Sequence, residues 1–177
     1  LNAQTFDPAL DTLITACTQA PIVLNPGFNP SFTYLWSPGF GLNSNSIGNP
    51  IFSSSVSRNY KVTVTNPFNN CKIVKEVAVK KGLLNQISLG NDTTLCDKDK
   101  HTLSVNGLTN GISYSWSKDA NFNTIIGTGK LISAVLNQGL NSIFVKATDT
   151  IGCVLKDSIQ IRLASIIATM PSSLVLC

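Results

Sequence analysis

Charge is what this chain has least of. Its 177 residues include 13 Lys and Arg and nine Asp and Glu, 12% in all, about half the usual globular fraction. Arginine is confined to Arg58 and Arg162. The other cations are scattered lysines, so the net charge of +4 does not gather into the basic, aromatic-interleaved face of a nucleic-acid binder. The densest basic stretch, Lys72, Lys75, Lys80 and Lys81, reads as lysine protection of a solvated edge strand. Histidine occurs once, at His101, which leaves nothing to pair with a nucleophile in a hydrolytic triad and no His-rich metal site. Cys-x-x-Cys is absent, which argues against zinc. Asp97 and Asp99 alternate with Lys98 and Lys100 and read as self-neutralised, short of the converging carboxylates that calcium needs. No apolar run approaches the roughly 20 residues of a membrane span. The expectation is therefore no catalytic residue, no cofactor, no metal, no nucleic-acid partner and no membrane span.

What the chain does have is a rhythm. Cys17, Cys96 and Cys177 lie 79 and 81 residues apart, Trp36 and Trp116 lie 80 apart, and Cys71 and Cys153 lie 82 apart. Each period runs from a cysteine through Tyr-x-Trp-Ser (Tyr34 to Ser37, Tyr114 to Ser117) to a second cysteine. Self-similarity at a fixed period marks an array. The boundaries expected are 1–83 and 84–164 for two modules, with 165–177 as the first strand of a truncated third. Modules of about 80 residues bury modest cores and gain from a covalent staple. The repeat phase pairs Cys17 with Cys71 and Cys96 with Cys153, each bond tying the first strand's end to the last hairpin near one pole. Cys177 is left unpaired within this segment. Disulfides persist outside the cytosol, so an exported protein is expected. Leu1-Asn2-Ala3 before Gln4 reads as the tail of a secretory signal.

Helical periodicity is nearly absent, and short alternating runs recur between turn signals. Tyr60 to Thr65 and Ile73 to Val79 read as one hairpin, and Ile143 to Thr148 and Val154 to Leu163 as its counterpart. Earlier strands are expected at Ile22 to Asn25, Thr33 to Ser37, Thr102 to Val105 and Ser113 to Trp116, with 43–50 as a loop. The expected fold is all-β: tandem immunoglobulin-like sandwiches of about seven strands, each with one disulfide. Trp36, Trp116, Tyr34 and Tyr114 are expected in the cores, because each Trp sits in a central strand and each Tyr shares its face through the two-residue period.

The opening Ile87 to Cys96, the middle Tyr34-Leu35-Trp36-Ser37-Pro38 with Gly41-Leu42-Asn43 and Asn49-Pro50, and the close Thr148 to Cys153 resemble the immunoglobulin-like and PKD-like repeats of Bacteroidota cell-surface proteins. Among these are the gliding-motility adhesins exported by the type 9 secretion system. The PKD core Trp-Asp-Phe-Gly is replaced by Trp36-Ser37-Pro38, which favours the broader immunoglobulin-like label. The resemblance implies a non-catalytic, stalk-forming or adhesive segment at the extracellular surface. Its implied partners are surface glycans or other cell-surface and export-machinery proteins. Carbohydrate binding, or a spacer role in a secreted enzyme, is the alternative. Asp11-Thr12-Leu13, Asp92-Thr93-Thr94, Asp149-Thr150-Ile151 and Asp157-Ser158-Ile159 further resemble the three-residue acceptor of the general O-glycosylation system of Bacteroidota, implicating Thr12, Thr93, Thr150 and Ser158. Asp and Thr also favour turns and strand ends in their own right, and both readings stay open here.

Overall fold

The computed structural model describes residues 10–25, 27–96, 100–107 and 110–164. The first three residues, Asp97, Asp99 and the tail with Cys177 lie outside the described residues. Contacts divide the chain between Asn85 and Gln86, except that Thr150–Cys153 group with the first unit.

The first unit contains β1 (Leu13–Ala16), β2 (Ile22–Val23), β3 (Thr33–Ser37), β4 (Ile51–Phe52), β5 (Arg58–Thr65) and β6 (Lys72–Lys81). Its main sheet has the order β1-β6-β5-β3, and β2 pairs with β4 in a second, two-stranded sheet. Alternation decides which face is buried. Tyr34 and Trp36 of β3, Tyr60, Val62 and Val64 of β5 and Val77 and Val79 of β6 point inward onto Leu24 and Phe52. The second unit contains β7 (Thr93–Cys96), β8 (Lys100–Ser104), β9 (Ile112–Ser117), β10 (Ile125–Thr128), β11 (Leu131–Val135), β12 (Gly139–Asp149) and β13 (Val154–Ala164). Here the main sheet is β10-β9-β12-β13-β7, and β11 pairs with β8. Among the described residues the first unit has six strands and the second has seven, because 43–50, rich in Asn and Ser, forms bends where the second unit has β10.

In both units the first strand pairs in parallel with the last: Leu13–Ala16 against Ala78–Lys81, and Thr93–Cys96 against Ile161–Ala164. This pairing corrects two expectations. β6 lies between β1 and β5 and is not an edge along its C-terminal third. Lys81 there is buried and donates from Nζ to the Thr18 carbonyl. The second correction is the disulfide pattern. Ala16 pairs with Lys81, the end of β6, whereas Cys71 precedes Lys72, its start. Ten residues of strand span roughly 30 Å, far beyond the roughly 7 Å that a disulfide allows between Cα atoms. Cys96 pairs with Ala164 at the end of the 11-residue β13 and Cys153 precedes its start, so Cys96–Cys153 fails for the same reason. Among the described residues the disulfide is Cys17–Cys153, with a Cα–Cα distance of 5.2 Å, and Cys71 and Cys96 are free and exposed.

Candidate functional site

The cysteines occupy two kinds of place, and each kind occurs in both repeats. Cys17 and Cys96 close the first strands in the same register. Cys96 stands opposite Ala164, and Cys17 lies one step past the Ala16–Lys81 pair, where the Gly82 N–H donates to the Ala16 carbonyl at 2.9 Å. Cys71 and Cys153 each open the last strand, directly after a residue in the left-handed region, Asn70 (φ 56°) and Gly152 (φ 88°). Asn and Gly are the residues that adopt that conformation most readily. The turn before Cys71 is closed by its own hydrogen bonds, Asn66 N–H to the Cys71 carbonyl (2.9 Å) and Cys71 N–H to Asn69 Oδ1 (3.0 Å). The bond that forms takes one cysteine of each kind from successive repeats. Cys153 is buried and Cys17 exposed.

Both tryptophans are buried and both indole N–H groups are satisfied. Trp36 Nε1 donates to the Ile47 carbonyl at 2.9 Å, and Trp116 Nε1 to the Gly129 carbonyl at 2.8 Å. Tyr34 and Tyr114 are buried beside them, and the Tyr34 hydroxyl donates to the Asn29 carbonyl at 3.2 Å. Burial raises the Tyr114 phenol above its ordinary pKa. Sugar-stacking therefore cannot use these rings without opening the cores.

Three of the four Asp-Thr/Ser motifs fall at strand margins, and Asp157-Ser158-Ile159 lies within β13. Thr12, Thr150 and Ser158 are exposed and Thr93 is half-buried in β7. Two of the aspartates have structural work: Asp157 Oδ2 accepts from Leu89 N–H at 2.7 Å, and Asp92 Oδ1 accepts from Gln160 N–H at 2.8 Å. Each of these hydrogen bonds ties the segment leading into β7 to β13. Asp149 is buried at the end of β12.

The exposed faces hold two further features. In the first unit, a groove of about 920 Å³ crosses the main sheet past Ser37, Pro38, Asn59, Lys61 and Glu76. Its charged groups are Lys75 and the Lys61–Glu76 pair, the latter 3.4 Å apart with both side chains largely exposed, a contact worth at most about 1 kcal/mol. In the second unit, Asp119 organises a loop. It accepts from Asn121 N–H and Asn123 N–H at 3.0 Å each and from Asn123 Nδ2 at 2.6 Å. The backbone hydrogen bonds hold its carboxyl below the usual carboxylate pKa. The loop sets Phe122 at positive φ (59°), with its ring 5.2 Å from both Lys146 and Lys156 Nζ. Those lysines are direct cross-strand partners, a like-charge pair that the ring face offsets. Sequence reading did not single out this loop, although Asp119-x-Asn121-x-Asn123 carries the Asx-turn signal. His101 is half-buried on β8, paired with Ala134. Among the described residues, no three His, Cys, Asp or Glu side chains group as metal ligands.

No family model and no curated protein matches this chain. Solved structures do. The extracellular domains 3–5 of Drosophila OTK match at 13% identity with a TM-score of 0.51, over 89% of this chain and 62% of that one. The fold is immunoglobulin-like. Fibronectin(III)-like modules of Clostridium thermocellum CbhA match at 16% identity and a TM-score of 0.40, over 90% and 93%. A human PKD domain matches at 13% identity and a TM-score of 0.37, over 49% and 87%.

Proposed function

We propose that this chain is a non-catalytic segment of a long, exported cell-surface repeat protein that extends or presents a binding element, in surface adhesion or gliding motility. The observation that carries the reading is the Cys17–Cys153 bond. It joins cysteines of successive repeats, and such a bond persists in an oxidising, extracellular compartment. The resemblance to type 9-secreted adhesins of Bacteroidota supplies the setting, and surface glycans or other surface and export proteins are the partners proposed. Thr12, Thr150 and Ser158 are proposed O-glycan acceptors, their hydroxyls exposed; Thr93, half-buried in β7, is the poorest substrate of the four. Mass mapping of protein from a host with that glycosylation system should find the first three modified, and bare hydroxyls at all four would remove the assignment.

Carbohydrate binding is the second reading, favoured by Phe122 on the lysine-flanked sheet face. A glycan array followed by calorimetry separates the two. Flat titrations, with protease cleavage of the parent protein on intact cells, support the extending segment. Saturable glycan binding that Phe122→Ala abolishes supports the second reading and overturns the first.

A further inference from the structure

We infer that the two free thiols among the described residues, Cys71 and Cys96, are the unfilled halves of further bonds of the Cys17–Cys153 kind, and that their partner is another copy of the same module. The inference deepens the repeat-array reading and rests on it for the identity of the neighbour.

Three observations support it. Cys96 stands where Cys17 stands: Cys96 ends β7 opposite Ala164, and Cys17 follows β1 one step past the Ala16–Lys81 pair. Cys71 stands where Cys153 stands, opening the last strand behind a left-handed residue. The first-strand cysteine of one repeat is already bonded to the turn cysteine of the next, while the corresponding cysteines within a repeat are a strand length apart. Both remaining thiols are exposed, so neither is an inert core cysteine. The repeat phase then assigns Cys96 to the hairpin-turn cysteine of a following module and Cys71 to the first-strand cysteine of a preceding one. A second copy of this chain, added head to tail, offers Cys71 to Cys96 in the pattern that Cys153 offers to Cys17.

Bond formation needs a disulfide oxidant, such as oxidised glutathione or a thiol–disulfide oxidoreductase. One cysteine thiolate attacks the oxidant's disulfide, forming a mixed disulfide and expelling one thiolate. The partner cysteine's thiolate then attacks the mixed disulfide and expels the second. Two thiols become one disulfide, and two electrons and two protons pass to the oxidant.

The test uses the full 177-residue chain with Cys177→Ser, so that Cys71 and Cys96 are the reactive thiols, held concentrated in a glutathione redox buffer. Non-reducing gels should show a ladder of dimers and higher species, and peptide mapping should recover intermolecular Cys71–Cys96 links with Cys17–Cys153 retained. Adding Cys71→Ser to one sample and Cys96→Ser to another, then mixing them, should stop growth at the dimer. Cys71–Cys96 links should exceed Cys71–Cys71 and Cys96–Cys96 links by about tenfold, the preference of a specific contact over random collision. Three results overturn the inference: no ladder, like-with-like links at random proportions, or a Cys71–Cys96 bond inside the monomer. Glycan titration reads the functional proposal separately, so either idea can fail alone.

Discussion

The two units solve one packing problem with different residues. Trp36 faces Val62 across the β3–β5 pair and Trp116 faces Val145 across β9–β12. Two residues earlier in those partner strands, the first unit has Tyr60 and the second Ile143. Tyr60 makes edge contacts with Trp36 and Phe52 at 6.3 Å and donates to the Phe40 carbonyl at 2.8 Å. Arg58 stacks on Phe40 at 4.2 Å, although its Nε is buried without a hydrogen-bond partner. The second unit has buried aliphatic residues Ile143, Val145 and Ile161 in place of this aromatic corner, and a strand, β10, that pairs with β9 through a register shift between Ile125 and Gly127. Where the backbone after the Trp strand lacks regular pairing, aromatic rings and polar tips do the ordering. Where it forms strands, aliphatic side chains suffice.

The largest effect should come from removing the shared element. Trp36→Ala and Trp116→Ala should each destabilise the affected unit by about 3–5 kcal/mol, read as a lowered denaturant midpoint in that unit's own spectroscopic probe. If only one substitution does so, the two cores are not equivalent. Cys17→Ser or Cys153→Ser should come next. A crosslink spanning 136 residues is worth roughly 2–5 kcal/mol, whereas Cys71→Ser and Cys96→Ser should shift the chain's melting transition little. Equal effects from all four would remove the distinction between filled and open positions.

Tyr60→Phe sharpens the aromatic-versus-aliphatic contrast. It deletes one hydrogen bond and should cost the first unit about 1 kcal/mol, leaving the second unit unchanged in the same titration. Burial raises the Tyr60 phenol above its ordinary value, with Arg58 pulling it partly back. A group whose folded pKa is raised contributes stability below the unfolded value of 10.0 that is lost as pH rises through the folded one. Alkaline melting of the first unit above about pH 10 should therefore be blunted by Tyr60→Phe. The smallest effect belongs to the Asp119 loop. Its depressed carboxyl favours the loop above the ordinary value of 3.8, and the benefit is lost as pH falls through the folded value. The Phe122 ring resonances should move in that acid window and hold still in Asp119→Asn.

The main strands were legible because their alternation is unbroken: Tyr60 to Thr65, Val154 to Leu163 and the two Tyr-x-Trp segments lie inside β5, β13, β3 and β9. The cysteine partners were not. The repeat phase marks equivalent cysteines, but pairing within a repeat or between repeats preserves that phase equally well. The deciding fact is the direction in which β1 and β7 pair, which depends on tertiary contacts. Asp92 and Asp157 show the same limit in miniature. Their acceptor-like motifs are visible in sequence, while their hydrogen bonds across 68 residues emerge only from the sheet. Lys81 is the converse, a residue that reads as solvated charge and is buried because its ammonium reaches the Thr18 carbonyl.

The parallel pairing of first and last strands has a mechanical consequence. Tension on the two ends of the first unit draws β1 and β6 along one axis in opposite senses, so the Leu13–Ala16 to Ala78–Lys81 register is loaded in shear. The flanking bonds Ala78 N–H to Thr12 O and Gly82 N–H to Ala16 O, 2.8 and 2.9 Å, share the load instead of rupturing one after another. In the second unit, Asp92 and Asp157 add two rivets to the same seam. With the Cys17–Cys153 bond reduced, so that load no longer passes from Cys17 straight to Cys153, each unit pulled end to end should hold until the seam fails as a whole, and Asp157→Ala should lower the rupture force of the second unit alone.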